Sequence, residues 1–265
     1  MSGPDLDALA AHLGAETDAL RAVLAPPVAA TWAAPTPSPG WSVADQVSHL
    51  AYFDEAATTS VLDAARFGLL RDEAIALGAS LCDVVAARYR ATGPDELLAW
   101  WRTARSAMVA AMLAAGASRR VPWYGPDFSV ASALTGRIME TWAHGQDVYD
   151  ALGVTHPVTP ALYDVARLCA RTRANSYVSR GLAVPDGDVA VELAAPSGEV
   201  WQFGDGTDAT VRGDAVEFCL VATQRRNLAD TSLVADGPGA SEWLEIAQAF
   251  AGPAGQGRAA SGSRR

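Results

Sequence analysis

Residues 41–50 read Trp41-Ser42-Val43-Ala44-Asp45-Gln46-Val47-Ser48-His49-Leu50, and residues 139–147 read Met139-Glu140-Thr141-Trp142-Ala143-His144-Gly145-Gln146-Asp147. In the first stretch Ser42 can cap the free amides of a new helix, and Asp45, three residues on, completes a capping-box-like pair. The helix predicted from there, about 43–67, turns Val47, Leu50 and Ala51 inward and carries His49 on the stretch that faces the core. In the second stretch Glu140 and His144 stand four residues apart, on one face of a helix predicted from about 129 to a cap at Gly153. A carboxylate and an imidazole one turn apart can chelate a divalent ion, as such pairs do in helical-bundle metal proteins. Burying ionisable groups without partners is costly. One cation bound by His49, Glu140 and His144 would relieve that cost for all three. Core histidines held by ordinary hydrogen bonds are the other reading of the same spacing.

The helical pattern extends on both sides of these stretches. Leu6, Leu9, Leu13, Leu20 and Leu24 share one face of a helix over 4–25. The five prolines between Pro26 and Gly40 mark a connecting loop. A further helix is predicted within 69–89, and another from Asp95, after Gly93-Pro94, to Ala115, carrying Leu97, Leu98, Trp101, Met108 and Met112. The 119–130 loop holds Trp123, Tyr124 and Phe128, either lining a substrate pocket or covering the core. Four long helices in series predict an antiparallel four-helix bundle. Past Thr155-His156-Pro157 the texture changes. Thr159-Pro160 reads as a cap with proline at the first helical position, opening a helix to about Val178. Strands at 189–193 and 199–203 flank the turn Ala195-Pro196-Ser197-Gly198, and a third is predicted at 209–212. A helix over 215–223, a strand at 232–234 and a helix over 241–250 follow. The fold class is therefore α plus α+β: a helical bundle over 1–155, a smaller α+β domain with its linking helix over 156–252, and a disordered Gly/Ala/Ser tail over 253–265.

Half of the 265 residues are hydrophobic and mean hydropathy is +0.09, which excludes wholesale disorder. Thirty acidic against twenty basic residues give 20 − 30 = −10, which argues against nucleic acid and anionic membranes as partners. All twenty basic residues are Arg. Lysine Schiff-base chemistry and a Walker-type phosphate loop are excluded. Cys82, Cys169 and Cys219 lie far apart, as reduced, buried thiols of a cytoplasmic protein do. There is no signal-peptide pattern, and no apolar run is long enough to span a membrane. Several residues read as ordinary. His12 and His156 are expected at the surface, and Trp41 and Trp142 as packing residues. Asp54 and Asp147 are expected on solvated helix faces, with orientation of a metal ligand as the alternative. Arg167, Arg171 and Arg173 are expected on a solvated face.

The two quoted stretches resemble the DinB-like superfamily, and within it the actinobacterial branch that contains mycothiol-dependent maleylpyruvate isomerase. That resemblance implies a metal-binding DinB-like four-helix bundle joined to a smaller α+β domain, with metal ligands at His49, Glu140 and His144. It continues through Ala195-Pro196-Ser197-Gly198-Glu199-Val200-Trp201. It also implies an Arg, after the first helix of the C-terminal domain, that reaches an interdomain active site. The matching segment is Ala222-Thr223-Gln224-Arg225-Arg226, with Gln224 where the family usually has Gly. Arg225 is the direct match and Arg226 its close rival. Three protein ligands leave coordination positions open, with Zn²⁺ the first expectation and Ni²⁺, Fe²⁺ or Mn²⁺ as alternatives. The implied activity is that of an isomerase or S-transferase, with mycothiol as cosubstrate attacking a small, carboxylate-bearing electrophile. A hydrolase or lyase using metal-bound water is the main alternative. A noncatalytic carrier of apolar ligands is a third, because the C-terminal domain is also reminiscent of sterol-carrier-like domains. The expected partners are a small-molecule substrate and a low-molecular-weight thiol, with the protein a monomer or homodimer.

Overall fold

In the computed structural model, which describes residues 5–206 and 208–262, Asp5 opens helix α1 (Leu6–Leu24) by accepting the free amides of Asp7 and Ala8. Leu9, Leu13, Leu20 and Leu24 form its buried stripe. The proline-rich stretch was expected to be loop throughout, yet it holds a one-turn helix, α2 (Ala29–Trp32). Trp32 is the reason: its ring is 1% exposed, and its indole N–H donates to the Leu24 carbonyl. Helix α3 (Val43–Leu62) begins with the expected capping box between Ser42 and Asp45. It ends at Leu62 and not near Phe67, because Asp63 leaves helical geometry and caps α4 (Ala64–Leu77) through the Arg66 amide. A 3₁₀ turn over Gly78–Ser80 leads into α5 (Leu81–Tyr89). Helix α6 (Pro94–Ala115) starts with proline in its first turn. The aromatic loop contains a two-residue strand pair, β1 (Arg120–Val121) and β2 (Phe128–Ser129). Its Trp123 and Tyr124 pack on the cluster of Tyr52, Phe53 and Phe67, covering the core. Helix α7 (Val130–Leu152) is capped by Ser129 and stopped by Gly153, whose φ of 64° suits glycine.

Side-chain contacts give the helix directions. Along α3 the partners Gln46–His144, His49–Glu140 and Asp54–Arg137 descend on α7, so these two helices are antiparallel. Asp45 meets Arg90 just before α6, Asp54 meets Arg105 on it, and Val61 meets Arg119 just after it, so α3 and α6 run the same way. Helices α4 and α5 return the chain to make this parallel pairing possible, a departure from simple antiparallel order. The main core joins Leu20, Leu24, Val47, Leu50, Trp101 and Tyr149. Each such side chain contributes about 1.5–3 kcal/mol by burial.

The chain divides into compact units at Met1–Ala161 and Leu162–Arg265. The first extends past the expected break at 155 because His156 and Thr159 both bond Glu16 of α1. Thr159 donates its hydroxyl proton to Glu16, and helix α8 (Ala161–Arg171) starts after Pro160. Helix α9 (Arg173–Val178) follows. Strands β3 (Ala190–Ala194), β4 (Val200–Phe203), β5 (Thr210–Asp214) and β6 (Val234–Asp236) form one sheet in the order β4-β3-β5-β6. Pairing of β3 with β4 is antiparallel across the expected turn, with β5 parallel, and β5 with β6 antiparallel. Val191 and Leu193 face inward, while Glu192 pairs outward with Arg212. Asp214 caps α10 (Ala215–Ala222), and α11 (Ala240–Ile246) ends sooner than the sequence suggests. The expected disordered tail carries no helix or strand over 253–262, but Gly255, Arg258 and Ser261 are hydrogen-bonded to Gln248, Asn227 and Asp230. Residues 263–265 of that tail lie outside the described residues. Arg173, expected in solvent, donates to the Pro185 and Gly187 carbonyls. Among the described residues no helix is long and apolar enough to cross a membrane.

The first unit is pinned by polar groups as well as apolar ones. Asp54, expected on a solvated face, is 0% exposed. Its carboxylate accepts from Arg105 Nε at 2.7 Å and from Arg137 Nε at 3.0 Å. Arg105 also donates to Thr17 at 2.7 Å and to Thr141 at 3.0 Å. One guanidinium on α6 therefore touches α1, α3 and α7. Replacing Asp54 with Ala leaves two buried guanidinium groups without their shared anion. The expected loss of unfolding free energy is about 3–5 kcal/mol, measured by urea denaturation. A loss within the range of an exposed carboxylate would contradict this role.

Candidate metal centre

His49 lies on α3, and Glu140 and His144 lie one turn apart on α7. Because α3 and α7 are antiparallel neighbours, the three side chains converge. Glu140 Oε2 sits 3.5 Å from His49 Nε2 and 3.2 Å from His144 Nε2, and one ligand atom from each residue lies within 4.8 Å of the others. The imidazole centroids are 4.2 Å apart. With metal–ligand lengths near 2.0–2.2 Å, two ligands on a tetrahedral ion stand about 3.3 Å apart. The two measured separations straddle that value, and two imidazole nitrogens with one carboxylate oxygen are a fitting donor set for a divalent transition metal. The carboxylate side chain keeps 23% of its surface exposed, against 8% for His49 and 11% for His144. Solvent thus reaches the centre at its carboxylate.

The electrostatics favour a neutral His49 beside an ionised Glu140. Burial, then His144 and Arg137, lower the His49 pKa to about 3 against the opposing pull of Glu140. Burial pushes Glu140 upward, but hydrogen bonds to His144 and His49 outweigh it and hold the carboxyl well below its usual range. His49 Nδ1 is buried with no hydrogen-bond partner. His144 Nδ1, by contrast, lies 2.5 Å from Gln46 Oε1. The Gln46 amide nitrogen donates to Thr36 Oγ1 at 3.0 Å, and the Thr36 hydroxyl donates to the Trp41 carbonyl at 2.9 Å. Trp41 is more than packing: its ring lies 5.5 Å from that of His49 and is stacked 6.1 Å from that of His144, and its N–H donates to Asp83.

Other sequence-selected residues fall elsewhere. His156 is not at the surface: its side chain is 7% exposed, 2.8 Å from Glu16 and stacked on Tyr149. Asp147 is likewise buried and accepts from Ser38 at 2.9 Å. All three cysteines are free thiols. Burial, then Glu140 and Asp83, push the Cys82 thiol up to about 12, so it is not a thiolate near neutrality. Arg225 and Arg226 follow α10 in the second unit, both half-buried. Gln224 just before them has φ 61°, unlike every other described non-glycine residue. Its N–H bonds Val221 O and that of Arg225 bonds Leu220 O, the hydrogen-bond pair of a Schellman helix end. Arg226 lines a cavity of about 190 Å³ that also includes Arg180, Asn227 and Arg258.

Sequence reasoning missed Gln46 and Arg137. Both carried a signal: Gln46 is three residues before His49 and Arg137 three before Glu140, so each shares a helix face with a ligand.

Fold and centre together define a protein with a helical unit bearing two histidines and a carboxylate on facing helices, followed by an α+β unit. The model of the mycothiol maleylpyruvate isomerase N-terminal domain matches residues 13–149, and the chain belongs to that family. Two Mycobacterium tuberculosis proteins described as uncharacterized, from strains CDC 1551 / Oshkosh and ATCC 25618 / H37Rv, are 45% identical over 249 residues, spanning 94% of this chain and 97% of theirs. The fold is similar to the crystal structure of the mycothiol-dependent maleylpyruvate isomerase, with a TM-score of 0.61 at 17% identity over 89% of this chain and 95% of that one. A histidine-to-alanine mutant of that enzyme gives a TM-score of 0.60 at 16% identity.

The lowered pKa of His49 has a consequence for the metal-free protein. Its unfolded chain takes up a proton near the usual 6.5, whereas folded His49 resists until about 3. Stability should therefore fall as pH drops through that window, by up to about 1.4 kcal/mol per pH unit for one proton. Depressed Glu140 adds a loss of the same sign once the pH falls below the ordinary carboxylate range. Urea midpoints measured across this range should show the slope, and His49→Gln should flatten its upper part. An unchanged slope in that variant would refute the assignment.

Proposed function

We propose that this chain is an enzyme that activates a low-molecular-weight thiol, mycothiol in its family, for attack on a small carboxylate-bearing electrophile. The observation that carries the reading is the convergence of His49 Nε2, His144 Nε2 and Glu140 Oε2 from two antiparallel helices. These three residues would hold one divalent cation, with zinc the first choice. When bound, that ion supplies a Lewis-acidic position that lowers a thiol's pKa well below its free value of about 8.5. Neutral His49 and His144 contribute lone pairs without adding charge, and ionised Glu140 contributes a single negative charge. Trp41 walls both imidazoles and limits water beside them.

For an isomerisation, the thiolate sulfur forms a bond to one carbon of an activated double bond, and the displaced π electrons move onto the conjugated carbonyl. The new single bond rotates, the carbon–sulfur bond breaks, and the thiolate returns unchanged. If the adduct is instead protonated at carbon and released, the outcome is an S-transfer. Arg225 is the proposed grip on the substrate carboxylate, with Arg226 as rival. The left-handed backbone at Gln224, a conformation glycine adopts freely, supports aligning that residue with the family's usual Gly and so favours Arg225. Three free cysteines accord with a cytoplasmic setting.

Metal content and thiol consumption test the reading together. Wild-type protein should retain zinc, and His49→Ala and Glu140→Ala should each lose more affinity than the about 10–100-fold that removal of an outer-shell partner costs. Thiol-dependent turnover of maleylpyruvate or a related electrophile should vanish with the metal. Turnover that proceeds without thiol would favour water as the nucleophile and overturn the proposal. Arg225→Gln should raise KM for a carboxylate substrate about tenfold to a hundredfold with a smaller effect on kcat. If Arg226→Gln alone has that effect, the rival takes the role.

A further inference from the structure

Gln46 was singled out by no motif, yet its hydrogen bonds determine the protonation pattern around His144. A threonine hydroxyl has one proton, and that of Thr36 goes to the Trp41 carbonyl, which can only accept. Thr36 Oγ1 must therefore accept from Gln46, which places the amide nitrogen of Gln46 on the Thr36 side at 3.0 Å. The amide oxygen then faces His144 Nδ1 at 2.5 Å. Oxygen there can only accept, so Nδ1 must carry hydrogen. Hydrogen on Nδ1 leaves Nε2, 3.2 Å from Glu140 Oε2, as the atom whose proton a cation would replace, freeing the Nε2 lone pair for the ion. Turning the amide over would reverse this assignment and set two oxygen lone pairs against each other at Thr36.

We propose that Gln46 is a positioning residue that locks His144 in the Nδ1–H form, aiming the Nε2 lone pair at the point shared with Glu140 and His49. The lock runs from the backbone of Trp41 through Thr36 and Gln46 to the imidazole, so the proline-rich segment before α3 takes part in the centre. His49 has no counterpart, since its Nδ1 has no hydrogen-bond partner. The two histidines are thus unequal: His144 is oriented before any ion arrives, and His49 is held by packing against Phe53 and Trp41. This inference deepens the metal-centre reading and rests on it for its bearing on cation binding.

Nitrogen-15 imidazole spectra of the metal-free protein at alkaline pH test the lock directly. Neutral histidine in water prefers hydrogen on Nε2, so the expected result is distinctive: His144 carries hydrogen on Nδ1 in wild type, beside any that Nε2 donates to Glu140, and loses it from Nδ1 in Gln46→Leu. Zinc competition against a chromophoric chelator is the second readout. Gln46→Leu should bind zinc about 10–100-fold more weakly, whereas Gln46→Glu, which retains an acceptor, should stay within a few-fold of wild type. Thr36→Val should also weaken binding, because it frees the amide to turn over. A His144 Nδ1 without hydrogen in wild type, or equal zinc affinity in wild type and Gln46→Leu, overturns the proposal. Failure of the metal reading is distinguishable. Wild type would then bind zinc no better than Glu140→Ala, and the imidazole spectra alone would decide whether the lock exists.

Discussion

A carboxylate with no exposed surface, gripped by two guanidinium groups, organises the first unit. Asp54 lies between Arg105 on α6 and Arg137 on α7. Bringing these charges out of water carries a desolvation cost, so the cluster does not stabilise simply by existing. Its importance lies in the penalty for misalignment. If α3 slid along α7, the same three charges would remain buried without partners, and the cost would rise by several kcal/mol. Apolar packing tolerates small shifts more readily than such a cluster does. The Asp54–Arg137 contact therefore sets the axial register of α3 against α7. His49 lies five residues before Asp54, and Glu140 three after Arg137. That register brings them together.

The elements whose periodicity and caps agree were legible in the sequence. Ser42 and Asp45 mark the start of α3, Gly153 marks the end of α7, and the leucine stripe gives α1. Long-range polar partnerships were not, because a single sequence shows spacing along a helix and not what the facing helix supplies. Asp54 looks like any helix-surface carboxylate until Arg105 and Arg137 arrive from residues far along the chain. His156 looks exposed between Thr155 and Pro157, yet Glu16 draws it inward. The one-turn helix α2 escaped because five prolines outweigh four residues of local pattern, while burial of Trp32 decides the outcome. The centre itself was half legible. The Glu140–His144 pair follows from helical spacing, but the addition of His49 depended on knowing that α3 and α7 are neighbours.

The charge balance of the centre bears on what it can bind. Burial holds His49 neutral down to a pKa of about 3, and the histidines keep Glu140 ionised. One carboxylate and two neutral imidazoles would offset half the charge of a divalent ion held there, leaving one net positive charge. Arg137, close enough to depress His49 protonation, adds to the positive field. In a partly buried site that solvent reaches only at its carboxylate, that field favours an anion over a neutral ligand. A thiol loses its proton to become such an anion more readily than water does, since their free pKa values are about 8.5 and 15.7. The same donor set could ionise water. At equal field and access, the smaller cost of deprotonation would give the thiol the advantage, which supports the proposed role of sulfur as the nucleophile.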